Sequence, residues 1–243
     1  MKPFKIAGSI LFLSLLVFPG FAAAQDAAPA SSQGKKTLVV DDFDNRLSVN
    51  NLGGATQGDE EYPGGCIPSF VTKGKSVFGK RGTSLKLEYD VTPPNSFSYY
   101  WSKLGPAGKE IGTSMPADLS GYDLVSFWMK TDTDEPAFAF EIHEDTNQDG
   151  RFTLGEDSVS RVFPYRYLTS QDTKQWRKVT IPLSDFKKIE HWDRILEVVF
   201  VFENKKLKEK KGVVYIDEVT FGVADSNVPS QGFKASASPA SRN

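Results

Sequence analysis

Apolar and polar residues alternate along much of this chain, a pattern that predicts β-strands rather than helices. β-Branched and aromatic residues fill short runs that Gly, Pro, Asn and Asp separate. The predicted strands cover residues 37–40, 84–91, 96–101, 124–130, 138–143, 158–163, 178–181, 195–202 and 213–216. Residues 195–202 are apolar on both faces, so we expect that strand in the centre of a sheet. Many short strands with polar turns predict an all-β sandwich or barrel.

The two ends of the chain have a different composition from this middle. Lys2 and Lys5 precede an apolar run at residues 6–18, and small residues follow it, so residues 1–24 are predicted to be a signal peptide. The apolar run is shorter than the about 20 residues that cross a bilayer. Residues 25–36 and 224–243 are predicted to be a disordered linker and tail. We therefore expect one domain, residues 37–223, in a secreted or periplasmic protein without a membrane span.

Composition narrows the class of protein further. The chain has 29 basic and 31 acidic residues, a net charge of −2, and lacks the basic stripe of a nucleic-acid-binding protein. Cys66 is the only cysteine, which excludes a disulfide within the chain. We expect its thiol to be buried, with a bond to another chain as the alternative. The sequence also lacks the common nucleophile and zinc motifs, so we do not expect an enzyme.

Residues 145–156 match every position of a twelve-residue calcium loop. The positions that bind the ion offer side-chain or carbonyl oxygens and are occupied by Asp145, Asn147, Asp149, Arg151, Thr153 and Glu156. Gly150 stands where the loop turns sharply. Because both flanks are predicted strands, we expect Ca²⁺ to be a structural ion that fixes a loop between them. An acidic hairpin tip without an ion is the alternative.

Two groups of residues are candidates for binding a ligand on the surface of a sheet. Phe97, Tyr99 and Trp101 share one face of their predicted strand, and Tyr100 lies on the other. Large aromatic residues dominate protein cores, so the triplet is expected inside and Tyr100 is the exposed candidate. The opposite orientation stays open, because the sequence alone does not assign the faces.

Glu141 and His143 form the second group, on the polar face of their predicted strand, with Arg161 on the strand that follows the loop. If the two strands pair, a carboxylate, an imidazole and a guanidinium meet on one surface and can hold sugar hydroxyls. The alternative is an ordinary ion pair on a solvated face. Residues 205–211, rich in lysine, are predicted to be a solvated turn, with contact to an acidic polysaccharide as the alternative.

Five segments, in the expected order, resemble the galactose-binding-like jelly rolls of family 11-type carbohydrate-binding modules and the related complex I intermediate-associated protein 30 family. They are Asp-Asp-Phe-Asp at 41–44, Asn-Leu-Gly-Gly at 51–54, Asp-Leu-Ser-Gly-Tyr-Asp at 118–123, Trp-Arg-Lys-Val-Thr-Ile-Pro-Leu-Ser-Asp-Phe at 176–186 and Tyr-Ile-Asp-Glu-Val at 215–219. The resemblance covers about residues 37–222, and the loop at 145–156 is an addition to the family pattern.

This resemblance implies a two-sheet antiparallel β-sandwich with a concave face that takes a glycan and with no catalytic activity. It also implies a second calcium near the first and last strands, at Asp42 and Asp217. Our expectation is therefore an exported, calcium-stabilised module that binds a polysaccharide. A calcium-stabilised module that binds a protein partner is the alternative, and a hydrolase ranks last.

Overall fold

The computed structural model describes residues 36–58, 65–74, 77–79, 82–134, 137–168 and 172–224. Within them the chain forms strands β1 (Thr37–Asp41), β2 (Thr56–Gly58), β3 (Cys66–Val71), β4 (Ser84–Asp90), β5 (Phe97–Lys103), β6 (Leu124–Thr131), β7 (Ala139–Glu144), β8 (Ser158–Val162), β9 (Arg177–Pro182), β10 (Ile195–Glu203) and β11 (Lys211–Gly222). Two short 3-10 helices lie at Pro164–Tyr167 and Leu183–Asp185. The predicted signal peptide, and nearly all of the predicted linker and tail, lie outside the described residues.

The strands form two antiparallel sheets, which confirms the predicted β-sandwich. One sheet has the order β3-β4-β11-β6-β9, with β1 paired to the second half of β11. The other has the order β2-β5-β10-β7-β8. The central position of β10 in this five-stranded sheet confirms the expectation for residues 195–202. Because β10 pairs with a neighbouring strand on each side, its backbone lies fully within the sheet, as expected for an apolar strand.

The inner faces of the two sheets share one aromatic core. The rings of Phe127 on β6 and Phe200 on β10 lie 5.3 Å apart in an edge-to-face contact between the sheets. Tyr89 on β4 stacks on Phe202 with ring centroids 4.5 Å apart. Offset and edge-to-face contacts of this kind add to the free energy gained from burial. Cys66 is buried at the edge of this core, as predicted.

Strands β2 and β3 have no counterpart among the predicted strands. Only three residues make up β2, and Pro68 interrupts the pattern of β3, which lies at the edge of its sheet where a missing amide donor is tolerated. At Gly58 a Cβ atom would lie 2.2 Å from the carbonyl oxygen of Cys66. The close approach of the two chain segments therefore requires glycine there.

The predicted orientation of β5 is wrong. Tyr100 is only 2% exposed and points into the core, whereas Phe97 is 43% exposed. The reason is the register with β10, in which Tyr100 lies directly opposite Phe200, a residue of the aromatic core. Directly opposite residues share a face of the sheet, so the pairing with β10 determines which set of alternating β5 residues is buried. Burial also raises the pKa of the Tyr100 phenol, which stays neutral.

Candidate functional site

The outer face of the five-stranded sheet carries an open groove with a volume of about 570 Å³. Its floor consists of the outward-facing residues of β5, β10, β7 and β8, and two residues of the loop between β7 and β8 border it. Val199 and Val201 of β10 form a small apolar strip in the middle, packed against neighbouring aromatic rings. Pockets with a mainly apolar lining and a few fixed polar groups are typical of binding sites.

A strip of aromatic rings runs along β5. Phe97, Tyr99 and Trp101 all line the groove, because alternate residues of a strand share a face. The rings of Phe97 and Tyr99 are nearly parallel, with centroids 6.2 Å apart. The ammonium group of Lys103 lies 5.5 Å from the centroid of the Trp101 ring. The strip is thus a continuous apolar platform with a cation at one end.

Next to this platform, His143 bridges two glutamates. Its Nδ1 lies 2.8 Å from Oε1 of Glu197, and its Nε2 lies 3.0 Å from Oε2 of Glu141. The other oxygen of Glu197 pairs with Nζ of Lys103 at 2.7 Å. The register explains the contacts, since Glu197 lies opposite both His143 and Lys103 on its two neighbouring strands. The side chains of His143, Glu141 and Glu197 are buried, unlike those of an ordinary ion pair on a solvated face.

Arg161 extends this network to the edge of the sheet. It lies opposite Glu141 in the pairing of β7 with β8 and donates to its carboxylate from Nε at 2.6 Å and from Nη2. Its Nη1 donates to Glu203 at 2.8 Å. Arg161 and the two glutamates therefore hold one another in fixed positions on the floor of the groove.

The network shifts the pKa values of Glu141, Glu197 and His143 in the direction that favours charge. Burial by itself would raise the pKa of Glu141, but the hydrogen bond with His143 and the charge of Arg161 hold it below its ordinary value. Glu197 behaves likewise, with His143 and Lys103 outweighing its burial. Burial disfavours the imidazolium of His143, yet its bonds to the two carboxylates raise its pKa. The groove floor is thus a set of compensating charges.

The structure brings the predicted residues Glu141, His143 and Arg161 together, while their role in binding a ligand stays a prediction. Lys103 and Glu197 also belong to the network and were not predicted. A signal for both was present in the sequence. Glu197 is the single acidic residue within the apolar run at 195–202, and Lys103 continues the alternation of Phe97, Tyr99 and Trp101.

The loop between β7 and β8 forms a wall of the groove. The ring of Phe152 stacks on the His143 imidazole, with centroids 3.9 Å apart. Leu154 is 83% exposed and also lines the groove. β7 and β8 pair from Glu144 with Ser158 onward, so the loop connects two adjacent strands, as predicted. The conformation of this loop therefore shapes the groove directly.

Inside the loop, hydrogen bonds engage several of the side chains proposed as calcium ligands. The Asp145 carboxylate accepts hydrogen bonds from the backbone amides of Asp149 and Gly150, at 3.1 Å each. The Asn147 side-chain amide donates to the Glu156 carboxylate at 3.1 Å, which joins the third and twelfth positions. Gly150 has a φ of 75°, in the left-handed region that the sharp turn needs. These residues fit a calcium ion.

Among the described residues, no group of three or more His, Cys, Asp and Glu side chains is gathered closely enough to hold a metal by itself. A calcium loop also uses amide and carbonyl oxygens, here from Asn147 and Arg151, so this finding leaves the calcium prediction untested. In the same part of the chain, no helix has the length and apolar character needed to cross a membrane.

The second implied metal position lies on the other sheet. Asp217 is buried on β11 and Asp41 is buried on β1, whereas Asp42 is partly exposed. Burial, with smaller contributions from the charges of Asp42 and Asp217, raises the pKa of Asp41 to about 7; burial raises that of Asp217 to about 6. Asp217 also accepts a hydrogen bond from Ser84. Asp42 and Asp217 stay a predicted pair of ligands.

A model of the family described as carbohydrate binding domain 30 matches residues 68–222, which is more than half of the chain. The match includes the whole groove floor and the loop that borders it. The sequence resemblance had named the family 11 type together with the complex I intermediate-associated protein 30 family. The resemblance to carbohydrate-binding modules is thereby confirmed, with family 30 as the one that matches. No curated protein matches this chain.

A solved structure of a family 30 module shares the fold, and a family 11 module is also similar. The family 30 module of a cellulosomal cellulase of Clostridium thermocellum is 16% identical, with a TM-score of 0.52, over 78% of this chain and 99% of that one. A family 11 module of another cellulosomal cellulase of the same organism is 19% identical, with a TM-score of 0.49, over 78% of this chain and 96% of that one.

Proposed function

This chain belongs to the carbohydrate binding domain 30 family, and from that premise we propose that its groove binds a polysaccharide without catalysing a reaction. The observation that carries the proposal is the aromatic strip of Phe97, Tyr99 and Trp101 beside the fixed polar network. Sugar rings have apolar C–H faces and a rim of hydroxyl groups. A flat apolar platform next to ordered carboxylates and a guanidinium matches both features.

The polar network would bind hydroxyl groups at a low entropic cost. Glu141 and Glu197 are each held by two partners, so their carboxylates need not lose rotamer freedom when a sugar binds. A carboxylate oxygen can accept about two hydrogen bonds. Both oxygens of Glu197 and Oε2 of Glu141 each have one partner in the network, which leaves capacity for a ligand. Hydroxyl groups in the plane of the sugar ring would meet these oxygens while the ring face lies on Tyr99 or Trp101.

The same network argues against hydrolysis of the polysaccharide. A glycosidase needs one carboxylic acid with a raised pKa as proton donor. The pKa values of Glu141 and Glu197 are instead lowered, and both ring nitrogens of His143 are engaged by carboxylates. The groove floor offers fixed hydrogen-bond partners and lacks a poised acid, as expected for a binding surface.

We further propose that calcium occupies the loop at residues 145–156 and holds the wall of the groove in place. Support comes from the complete motif, from the Asp149 amide that donates to both Asp145 and Asn147, and from the hydrogen bond that Asn147 donates to Glu156. When bound, the ion would neutralise these acids and fix the backbone between Asn147 and Glu156. Phe152, which stacks on His143, lies in that segment.

The N-terminal residues 1–24 support export of the protein, because they combine a basic start, an apolar run and small residues in the order of a signal peptide. A secreted or periplasmic location would place the module where polysaccharides occur. Weak calcium sites, with dissociation constants of about 10⁻⁴ to 10⁻³ M, remain filled in extracellular fluids.

The proposal is tested by titrating the purified protein with soluble polysaccharides in a calorimeter, using β-glucans, xylans and mannans in calcium-containing buffer. We expect saturable binding to at least one polymer and no release of reducing sugar on long incubation. Heat of binding to none of them would contradict the proposal and favour a protein partner. Release of reducing sugar that persists after further purification would contradict the absence of catalysis.

A further inference from the structure

A smaller recess of about 260 Å³ adjoins the groove at the end where β5 begins and β10 ends. Phe97, Arg161 and Glu203 line both the groove and the recess, and the smaller one is also lined by Asn95, Ser96, Lys205 and Lys206. The groove and the recess are therefore continuous, and a ligand lying on the aromatic strip could extend into the recess.

The recess lies beside a strongly basic turn of a mildly acidic protein. The seven residues 205–211 are Lys-Lys-Leu-Lys-Glu-Lys-Lys, whereas the whole chain has a net charge of −2. The Arg161 guanidinium is already paired with Glu141 and Glu203. In the described part of the chain, Lys205 and Lys206 have no ion-pair partner, and both are exposed. Two uncompensated positive charges thus face the recess.

The turn that carries these lysines is firmly anchored to the fold. Leu207 is only 2% exposed and belongs to the main core. The Lys210 ammonium group donates hydrogen bonds to the carbonyl oxygens of Asn204 and Leu207. The side-chain amide of Asn204 donates to the carbonyl oxygen of Val91 at 2.7 Å. An anchored turn presents Lys205 and Lys206 with little ordering left to be done on binding.

We propose that this recess takes an anionic substituent, a carboxylate or a sulfate, carried by the glycan whose rings lie on Phe97, Tyr99 and Trp101. The inference rests on the proposed function and narrows its ligand to an acidic polysaccharide. A lysine ammonium group acts as a point charge and imposes no fixed pairing geometry. It can therefore attract an anion whose position along the polymer varies. Since both lysines are exposed, salt weakens the attraction.

The test compares polymers that share one backbone and differ in charge. Calorimetry measures binding to hydroxyethyl cellulose, carboxymethyl cellulose and cellulose sulfate at low and high salt, and to neutral arabinoxylan and acidic glucuronoxylan as a second pair. We expect the acidic member of a pair to bind about five- to tenfold more tightly at low salt, as two weak surface charge pairs allow. High salt should remove the difference. Comparing the affinity for carboxymethyl cellulose with that for cellulose sulfate shows whether the recess prefers a carboxylate or a sulfate.

Two matched double variants test whether the preference for the acidic polymer arises in the recess. Lys205→Gln with Lys206→Gln should abolish the preference and leave affinity for the neutral polymer unchanged. Lys208→Gln with Lys211→Gln removes the same charge from the lysine-rich segment outside the recess, with Lys211 at the start of β11 and paired with Asp90, and should keep the preference. An equal loss in both double variants, or no preference in the unchanged protein, overturns this inference while neutral binding upholds the proposed function. Absence of binding to every polymer overturns both.

Discussion

The two outer faces of the sandwich both carry aromatic rings, but they use them differently. On the six-stranded sheet, Phe78 stacks on Trp128 with centroids 4.4 Å apart and meets Trp176 edge-on at 5.5 Å. Those rings cover one another. On the five-stranded sheet, Tyr99 and Trp101 line an open groove. Aromatic content alone therefore does not identify a binding surface. The rings must also be open to a ligand, not covered by one another.

The charges on the two faces differ in the same way. On the six-stranded sheet, Lys86 and Glu88 form a pair along one strand, and both side chains contact solvent. On the groove face, His143 pairs with Glu197 across strands and with Glu141 along β7, Glu141 pairs across strands with Arg161, and the three side chains that His143 joins are buried. A cross-strand network keeps its geometry because the sheet fixes every member, whereas a solvated pair along one strand does not.

The largest expected difference between the faces concerns stability. His143→Ala removes one partner from each of the buried carboxylates Glu141 and Glu197, which keep Arg161 and Lys103, and we expect a loss of about 1.5–3 kcal/mol in the free energy of unfolding. Glu88→Ala removes a solvated pair and should cost less than about 1 kcal/mol. Urea unfolding of both variants measures the difference. Equal losses would mean that the groove network is not the buried unit described above.

The next effect concerns affinity for the polysaccharide. Trp101→Ala removes an open ring from the platform and should weaken binding by about 30-fold, or about 2 kcal/mol, as for a central residue of an interface. Trp128→Ala is the matched control on the other face and should leave affinity unchanged. Calorimetry with the polymer that binds the unchanged protein gives both values. A loss in the Trp128 variant alone would assign binding to the opposite sheet.

Calcium should act on the groove face through the loop at its border. At a concentration ten times the dissociation constant, the ion adds about 1.4 kcal/mol of stability. For a chain of this length, that corresponds to roughly 3–6 °C in the melting temperature. Chelation should lower the melting temperature of the unchanged protein and leave the Asp145→Ala, Glu156→Ala double variant unaffected. An identical melting temperature with and without calcium would refute the site.

The smallest expected effect concerns two stacked rings, Phe152 at the groove and Phe78 on the opposite face. Phe152→Ala loses the contact with His143, and Phe78→Ala loses the contacts with Trp128 and Trp176. Each variant should lose about 0.5–1.5 kcal/mol of stability from the ring contact. Only the Phe152 variant should also lose affinity, by a few-fold, because Phe152 borders the groove. The same few-fold loss in the Phe78 variant would argue for a general loosening of the fold.

Much of the fold follows from local patterns. The alternation of residues 124–130 and the apolar run at 195–202 each predict a strand that the structure contains, because both patterns depend only on neighbouring residues. β2 was missed since Thr56–Gly58 is too short to show a period and exists only by pairing with β5. The length of β11 was underestimated for a similar reason: its second half pairs with β1, a partner far away in sequence.

The groove depends on long-range register, which local patterns do not contain. Glu141 and His143 could be assigned to a polar face because Phe140 and Ile142 alternate with them. Tyr100 could not be assigned, since both faces of β5 carry aromatic rings and the partner Phe200 makes the choice. Lys103 and Glu197 lie on different strands, and only the pairing of β5 with β10 brings them together.

The central claim is that the outer face of the five-stranded sheet is the binding surface, and the four tryptophans test it in one experiment. Each indole N–H gives its own signal in a nitrogen-15 correlation spectrum. During titration with a bound oligosaccharide, the account predicts that the Trp101 signal shifts and saturates while those of Trp128 and Trp176 stay in place. Shifts of the Trp128 and Trp176 signals, with the Trp101 signal unmoved, would contradict the account.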